Sequence, residues 1–395
     1  MEKVLSFEEH FLLMLMEFDI APGKRDELIA HIKNITNWQK VARVAITSGM
    51  APLFYKNLQT LNLKELVPAE VFQKFKNQYI QTLFKNTQRI KAFEVIIAEL
   101  NKKNIDFIPL KGIYLAPSLY QDLGLRTMCD IDFMVRIDDV ENCKEALLKL
   151  GWRVKEIHKT DHIKSLNVFH TPYVFLKDGM MIELHQKLYE SGTDFDMPAD
   201  ELWAKSKNQA YLNRESYQLN FEDLLLHQIL HLYKHFIAGH HCFKSFVDIA
   251  SLIKKSKHEF NRPVFSELIE KYNCQQEVAV INSVLKSYFS LEIYTPAENQ
   301  KSTTKIDVDL IFRSLLNGES KNAKDYLEEN KIEYISEKKR LKHIKGLKQK
   351  ITYVLGNVFP DKNFMYRRYK ITQHHQLLYY YPYRILSLLK NKKNR

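Results

Sequence analysis

At Ile105 the apolar period of this chain changes. Up to about Lys103 hydrophobic residues recur every three or four positions, as in WQKVARVAITSGMAPLFYKNL and VFQKFKNQYIQTLFKNTQRIKAFEVIIAELNKKN, the spacing of helices that bury one face. From Ile105 to about residue 190, short runs of strand formers alternate with helical pieces. IDFIPL reads as a strand, LKGIYLAPSLYQ as a short helix interrupted by Pro117, DIDFMV as a strand, and DDVENCKEALLKLGW as a helix capped by Asp138 or Asp139 and stopped by Gly151. WRVKEIHK is a further strand, and YVFLK and MMIELH pair through Asp178-Gly179, a dipeptide suited to tight hairpin turns. Helical spacing returns at Phe221 and runs through FEDLLLHQILHLYKHF, FKSFVDIASLIKKS and VAVINSVLKSYF; PAENQKSTTKID then reads as a loop. The expectation is an α+β chain, a small mixed β-sheet core flanked by N-terminal and C-terminal helical lobes. The boundaries read as 1–103 and 104–215 for the first lobe and the core, 216–337 for the second lobe, and 338–395 for a basic, tyrosine-rich helical region.

A chain of 395 residues, 45% of them hydrophobic, can bury more than one core. Its four cysteines, Cys129, Cys143, Cys242 and Cys274, stand far apart with no CxxC pair, which argues against a zinc ribbon or a disulfide framework and fits a reducing, cytoplasmic setting. The apolar stretch Phe11 to Met16 is too short, and too flanked by acids, for a signal peptide or a membrane span. The net charge of +12 is local: residues 338–395 hold 16 lysines and arginines against one acid, Asp361. These cations interleave with LLYYYPYRILSLL, a pattern that suits an anionic membrane surface, nucleic acid or an acidic protein partner and equally a solvated helical face.

The strand DIDFMV carries two acids. An ionised carboxylate leaves water only at a cost unless it is paired or bound to a metal. Alternate strand residues share a face, so Asp130 and Asp132 would project together with Cα atoms about 6–7 Å apart, within reach of one small hard cation. The same alternation would also serve an exposed edge. Three further features favour the cation. Leu110-Lys111-Gly112 stands at a strand-to-helix turn where a lysine and backbone amides can meet phosphate, Arg126 precedes the acids with a fork that suits a triphosphate, and Ile182-Glu183-Leu184-His185 repeats the apolar-acid alternation.

LKG, a short helix, R-x-x-x-DID-hydrophobic and a later IELH strand together resemble the nucleotidyltransferase fold of the DNA polymerase β type. More narrowly, they are similar to an uncharacterised bacterial nucleotidyltransferase family with LKG, DID and ELH motifs. The resemblance implies a metal site of Asp130, Asp132 and Glu183, Mg²⁺ or Mn²⁺ as cofactor and an NTP as substrate. It also implies nucleotide or phosphate contacts from Lys111, Gly112, Arg126 and His185. The implied reaction moves an NMP group to an acceptor (a sugar, another small molecule, a lipid-linked saccharide or a protein) and releases pyrophosphate. Ile113 stands where the superfamily has a phosphate-binding serine, a departure that leaves open a non-catalytic nucleotide-binding or scaffold protein. His227, His231 and His235 share one helix face. With no HExxH pattern, they read as a surface turned toward the nucleotide site or as packing rather than as a zinc centre.

Overall fold

The computed structural model describes residues 5–155, 169–193, 195, 197–295, 306–330, 332, 340–342, 344 and 346–393. Five helices open the chain: α1 (Phe7–Leu15), α2 (Arg25–Ile32), α3 (Trp38–Thr47), α4 (Ala51–Thr60) and the long α5 (Ala69–Lys102). Their starts are written locally. Ser6 and Glu9 form a reciprocal capping box on α1, the Asn37 side chain caps α3, and Pro68 precedes α5 where its missing N–H costs nothing.

The mixed segment follows as β1 (Phe107–Pro109), α6 (Lys111–Leu115), β2 (Ile131–Val135), α7 (Val140–Lys149), β3 (Arg153–Lys155), β4 (Tyr173–Lys177) and β5 (Met180–His185). These strands form one five-stranded sheet in the order β1-β2-β5-β4-β3. β4 and β5 pair antiparallel with Phe175 opposite Ile182, and Asp178 and Gly179 at their turn both have positive φ, 49° and 74°. Both central residues of a type I′ turn need that conformation, which an Asp-Gly pair adopts readily.

Next come α8 (Ala199–Lys205) and a second hairpin, β6 (Lys207–Tyr211) with β7 (Arg214–Gln218). The helices α9 (Phe221–Phe236), α10 (Phe243–Lys255), α11 (Arg262–Lys271), α12 (Gln275–Phe289), α13 (Val308–Leu316) and α14 (Ser320–Glu329) follow. Three more, α15 (Leu347–Val358), α16 (Lys362–Tyr369) and α17 (Leu377–Lys393), occupy the basic region.

The chain divides into two compact units, Met1–Phe133 with Asp200–Tyr334, and Met134–Ala199 with Ile335–Arg395. In the first, the early and late helices pack together. Asn317 donates to Glu9 Oε1 at 2.9 Å, and Lys254 pairs with Glu17 at 2.8 Å. Phe93 of α5 lies 5.8 Å from Phe107 on β1 and 5.4 Å from Phe133 on β2, so aromatic packing fixes both strands under the long helix. In the second unit a Cβ on Gly192 would stand 2.6 Å from Arg340 Cα, so only glycine admits that close a backbone approach. Arg340 reaches Glu190 and the Tyr353 hydroxyl, and Ile344 and Tyr353 form a small core with Phe169 and Leu341.

Candidate active site

β2 is buried along its whole length, and Asp132 on it is only 1% exposed. Its backbone carbonyl accepts the Leu110 N–H at 2.9 Å, the bond that joins the end of β1 to the middle of β2. The strand begins at Ile131, one residue later than the sequence pattern suggested. Asp130 stands in a bend immediately ahead of β2 and is half-buried. Its negative charge still acts on Arg126 and Lys244.

Lys111 carries the local strain of the site. Its φ is +48°, a left-handed conformation that costs a side-chain-bearing residue about 1–2 kcal/mol. The turn places its ammonium 2.8 Å from Asp132 Oδ1, with the two side chains 14% and 1% exposed. The adjacent glycine has a different reason. A Cβ on Gly112 would lie 2.5 Å from Arg126 Nη1 and 2.7 Å from Met128 Cγ, so glycine is needed here to let a buried guanidinium pass. Ile113 is fully buried and its carbonyl accepts the Tyr211 hydroxyl.

Arg126, which the sequence reading set at a triphosphate, is engaged with an acid in this structure. It is 6% exposed, and its fork closes on Asp248 of α10, Nη2 to Oδ2 at 2.7 Å and Nε to Oδ1 at 2.9 Å. Tyr120 donates to the same carboxylate at 2.8 Å. Burial, with the Asp248 charge beside it, pushes the phenol well above its usual range. Nε and Nη2 of the guanidinium are thus both engaged with a buried acid. Asp248 is the signal that sequence reading left unused: an acid on the apolar face of FKSFVDIASLI requires a cationic partner.

On β5, Glu183 and His185 share a face, with Glu183 partly exposed and His185 wholly buried. His185 Nε2 lies 3.7 Å from Glu183 Oε2, and its ring packs 5.2 Å from that of His170. β5 neighbours β2 in the sheet. Asp132, Glu183 and His185 each offer one ligand atom, and these atoms lie within 4.8 Å of one another. Two carboxylate oxygens and an imidazole nitrogen suit a divalent cation, with manganese tolerating the nitrogen better than magnesium does. The ammonium of Lys111 already occupies one cation position on this set. Among the described residues this is the group with metal-binding spacing; it includes His185 in place of Asp130.

The histidines of α9 share one helix face. The rings of His227, His231, His235 and His240 follow one another at 6.1, 4.6 and 5.5 Å. Burial holds His231 far below the usual histidine range, with the charge of Lys111 adding to the effect and that of Asp132 opposing it, so the face senses both members of the Lys111–Asp132 pair. His235 is lowered to about 4 by burial first, then by the neighbouring charges of Lys234, His240, Lys111 and Lys244. Sequence spacing identified this face and read it as turned toward the nucleotide site or as packing.

The model of a family described as uncharacterised nucleotidyltransferase matches residues 34–290, which span β1, β2, β5 and the histidine helix. No curated protein matches the chain. Among solved structures, the antibiotic-resistance factor ANT(2'')-Ia, determined in solution and described for its substrate-regulated conformation dynamics, is similar at 11% identity over 52% of this chain and 95% of that one, with a TM-score of 0.33. Because the family match covers well over half of the sequence and contains the LKG, DID and ELH segments, the chain belongs to the uncharacterised nucleotidyltransferase family.

Proposed function

We propose that the protein transfers an NMP group from an NTP to an acceptor and releases pyrophosphate, with a divalent cation, Mg²⁺ or Mn²⁺, as cofactor. The observation that carries this reading is the convergence of Asp132, Glu183 and His185 on neighbouring strands, beside a lysine held in a strained turn. Asp132, Glu183 and His185 would hold the cation, and Asp130, at the entrance to β2, would add a carboxylate from outside the strand. When bound, the cation supplies Lewis acidity toward phosphate oxygens and a template for in-line displacement.

The chain's own residues supply the rest. Glu183, the most exposed of the three converging groups, takes the proton from the attacking nucleophile, while His185 stands behind it and orients the carboxylate. Lys111, ion-paired with Asp132, stands where its ammonium would meet the phosphates of a bound NTP. In this reading Arg126 is a positioning residue. Locked on Asp248, it fixes the loop that leads into β2. The acceptor, whether sugar, other small molecule, lipid-linked saccharide or protein, is unassigned.

Incubation with each labelled NTP, Mg²⁺ or Mn²⁺ and a cell extract tests the reading. Labelled product and free pyrophosphate should appear with the native chain and disappear with Asp132→Asn and Glu183→Gln. Equal labelling by all three proteins would refute it.

A further inference from the structure

α15 shows its apolar side to water. Leu347, Ile351, Val354 and Leu355 are 75%, 50%, 44% and 51% exposed, and at about 100° per residue they fall within one arc of roughly 100°. The opposite side of the helix, with Tyr353 and Gly356, is the buried one. Lys348 and Lys350 flank the exposed arc, one on each border. Phe359, just past the helix end, is 51% exposed as well.

A second helix of the same unit repeats the pattern. On α17, Leu378, Tyr379, Tyr383 and Leu386 are 81%, 65%, 48% and 60% exposed, whereas Leu377 and Arg384 are buried. The two helices are tied together, because Arg384 Nη2 donates to the Asn357 carbonyl at 2.8 Å and the Tyr381 hydroxyl donates to the Pro360 carbonyl. No helix among the described residues is long and apolar enough to cross a membrane.

We infer that α15 and α17 form a docking surface for an anionic phospholipid membrane, which they meet lying in the interface plane. Charge complementarity selects this occupant. Residues 338–395 hold 16 cations against one acid, and lysines border an aliphatic stripe, so a surface that combines negative headgroups with accessible acyl chains satisfies both halves. Nucleic acid would meet the cations while leaving Leu347, Ile351 and Leu355 in water, and a neutral apolar partner would leave the lysines unpaired. Insertion of the leucines and tyrosines would anchor the chain; the cations would draw it to the membrane and make binding fall with salt.

The full chain tests this by co-sedimentation with phosphatidylcholine vesicles, alone or with roughly 30% phosphatidylglycerol, at about 0.1 M and 0.5 M salt. Binding should require the anionic lipid and weaken at the higher salt. Leu347→Ser/Ile351→Ser/Leu355→Ser replaces exposed residues, so its circular dichroism and melting should match those of the native chain while its vesicle affinity falls about tenfold or more. No binding to anionic vesicles at low salt, or equal binding by the triple variant, overturns the proposal. So do two other outcomes: a native dimer that the triple variant converts to a monomer, which would assign the face to a second copy, or polyuridine binding that the triple variant loses equally, which would assign it to RNA.

Discussion

Lys111 and Gly112 are adjacent, yet different pressures select them. Lys111 accepts a left-handed backbone so that its ammonium reaches Asp132, whereas Gly112 lacks a side chain because Arg126 and Met128 fill that space. Gly112→Ala should therefore destabilise the protein by about 1–3 kcal/mol, the cost of overpacking, read from the urea midpoint. An unchanged midpoint would mean that the glycine answers to something other than the guanidinium. Asp248→Asn should cost about 3–5 kcal/mol, because it strands a buried guanidinium, while nucleotide affinity of the folded variant stays within about twofold. A large loss of nucleotide affinity at full stability would return Arg126 to the phosphates. Asp132→Asn should lower transfer by roughly two orders of magnitude or more.

Among the elements, α9 makes the pH dependence explicit. His235 titrates near 4 in the folded chain and near its ordinary value, about 6.5, when unfolded, so between these values the unfolded chain binds more protons. Stability from this group is complete above the unfolded value and is lost as pH falls through that window; His231, shifted the same way, adds to it. The urea midpoint should drop from pH 7.5 to pH 5, and His235→Gln should flatten the slope. A variant with the native slope would contradict the argument. The elements also show how much the sequence carried. Alternation and Asp178-Gly179 sufficed for β4 and β5, and strand-former runs located β1 and β2, because these strands bury apolar residues in a regular pattern. KNQAYLNRESYQ gave no such signal: β6 is exposed at Lys207 through Ala210, and its turn uses Leu212 and Asn213 at φ 50° and 59° rather than a glycine pair. β2 begins at Ile131, one residue after the start the pattern suggested, since alternation alone cannot say where a ladder begins.

Taken as a molecule, the chain places its candidate site on the part of the sheet that sequence motifs mark most clearly and leaves the rest to long-range pairing. DID and IELH pointed to Asp130, Asp132 and Glu183 for the cation and to His185 for phosphate, and the described residues bring Asp132, Glu183 and His185 together. The Arg126–Asp248–Tyr120 cluster could not, since its partners lie more than a hundred residues apart and no local pattern links them. The outward apolar faces of α15 and α17 were visible only as charge and tyrosine content until burial showed which side faces water. The central claim is that Asp132, Glu183 and His185 make one divalent-cation site that receives an NTP. Titrating the full chain with Mn²⁺ and following free ion by electron paramagnetic resonance tests it most directly. The account predicts saturable binding that tightens when NTP is present and that Asp132→Asn and Glu183→Gln each abolish; Mn²⁺ binding of the same strength in both variants would contradict it.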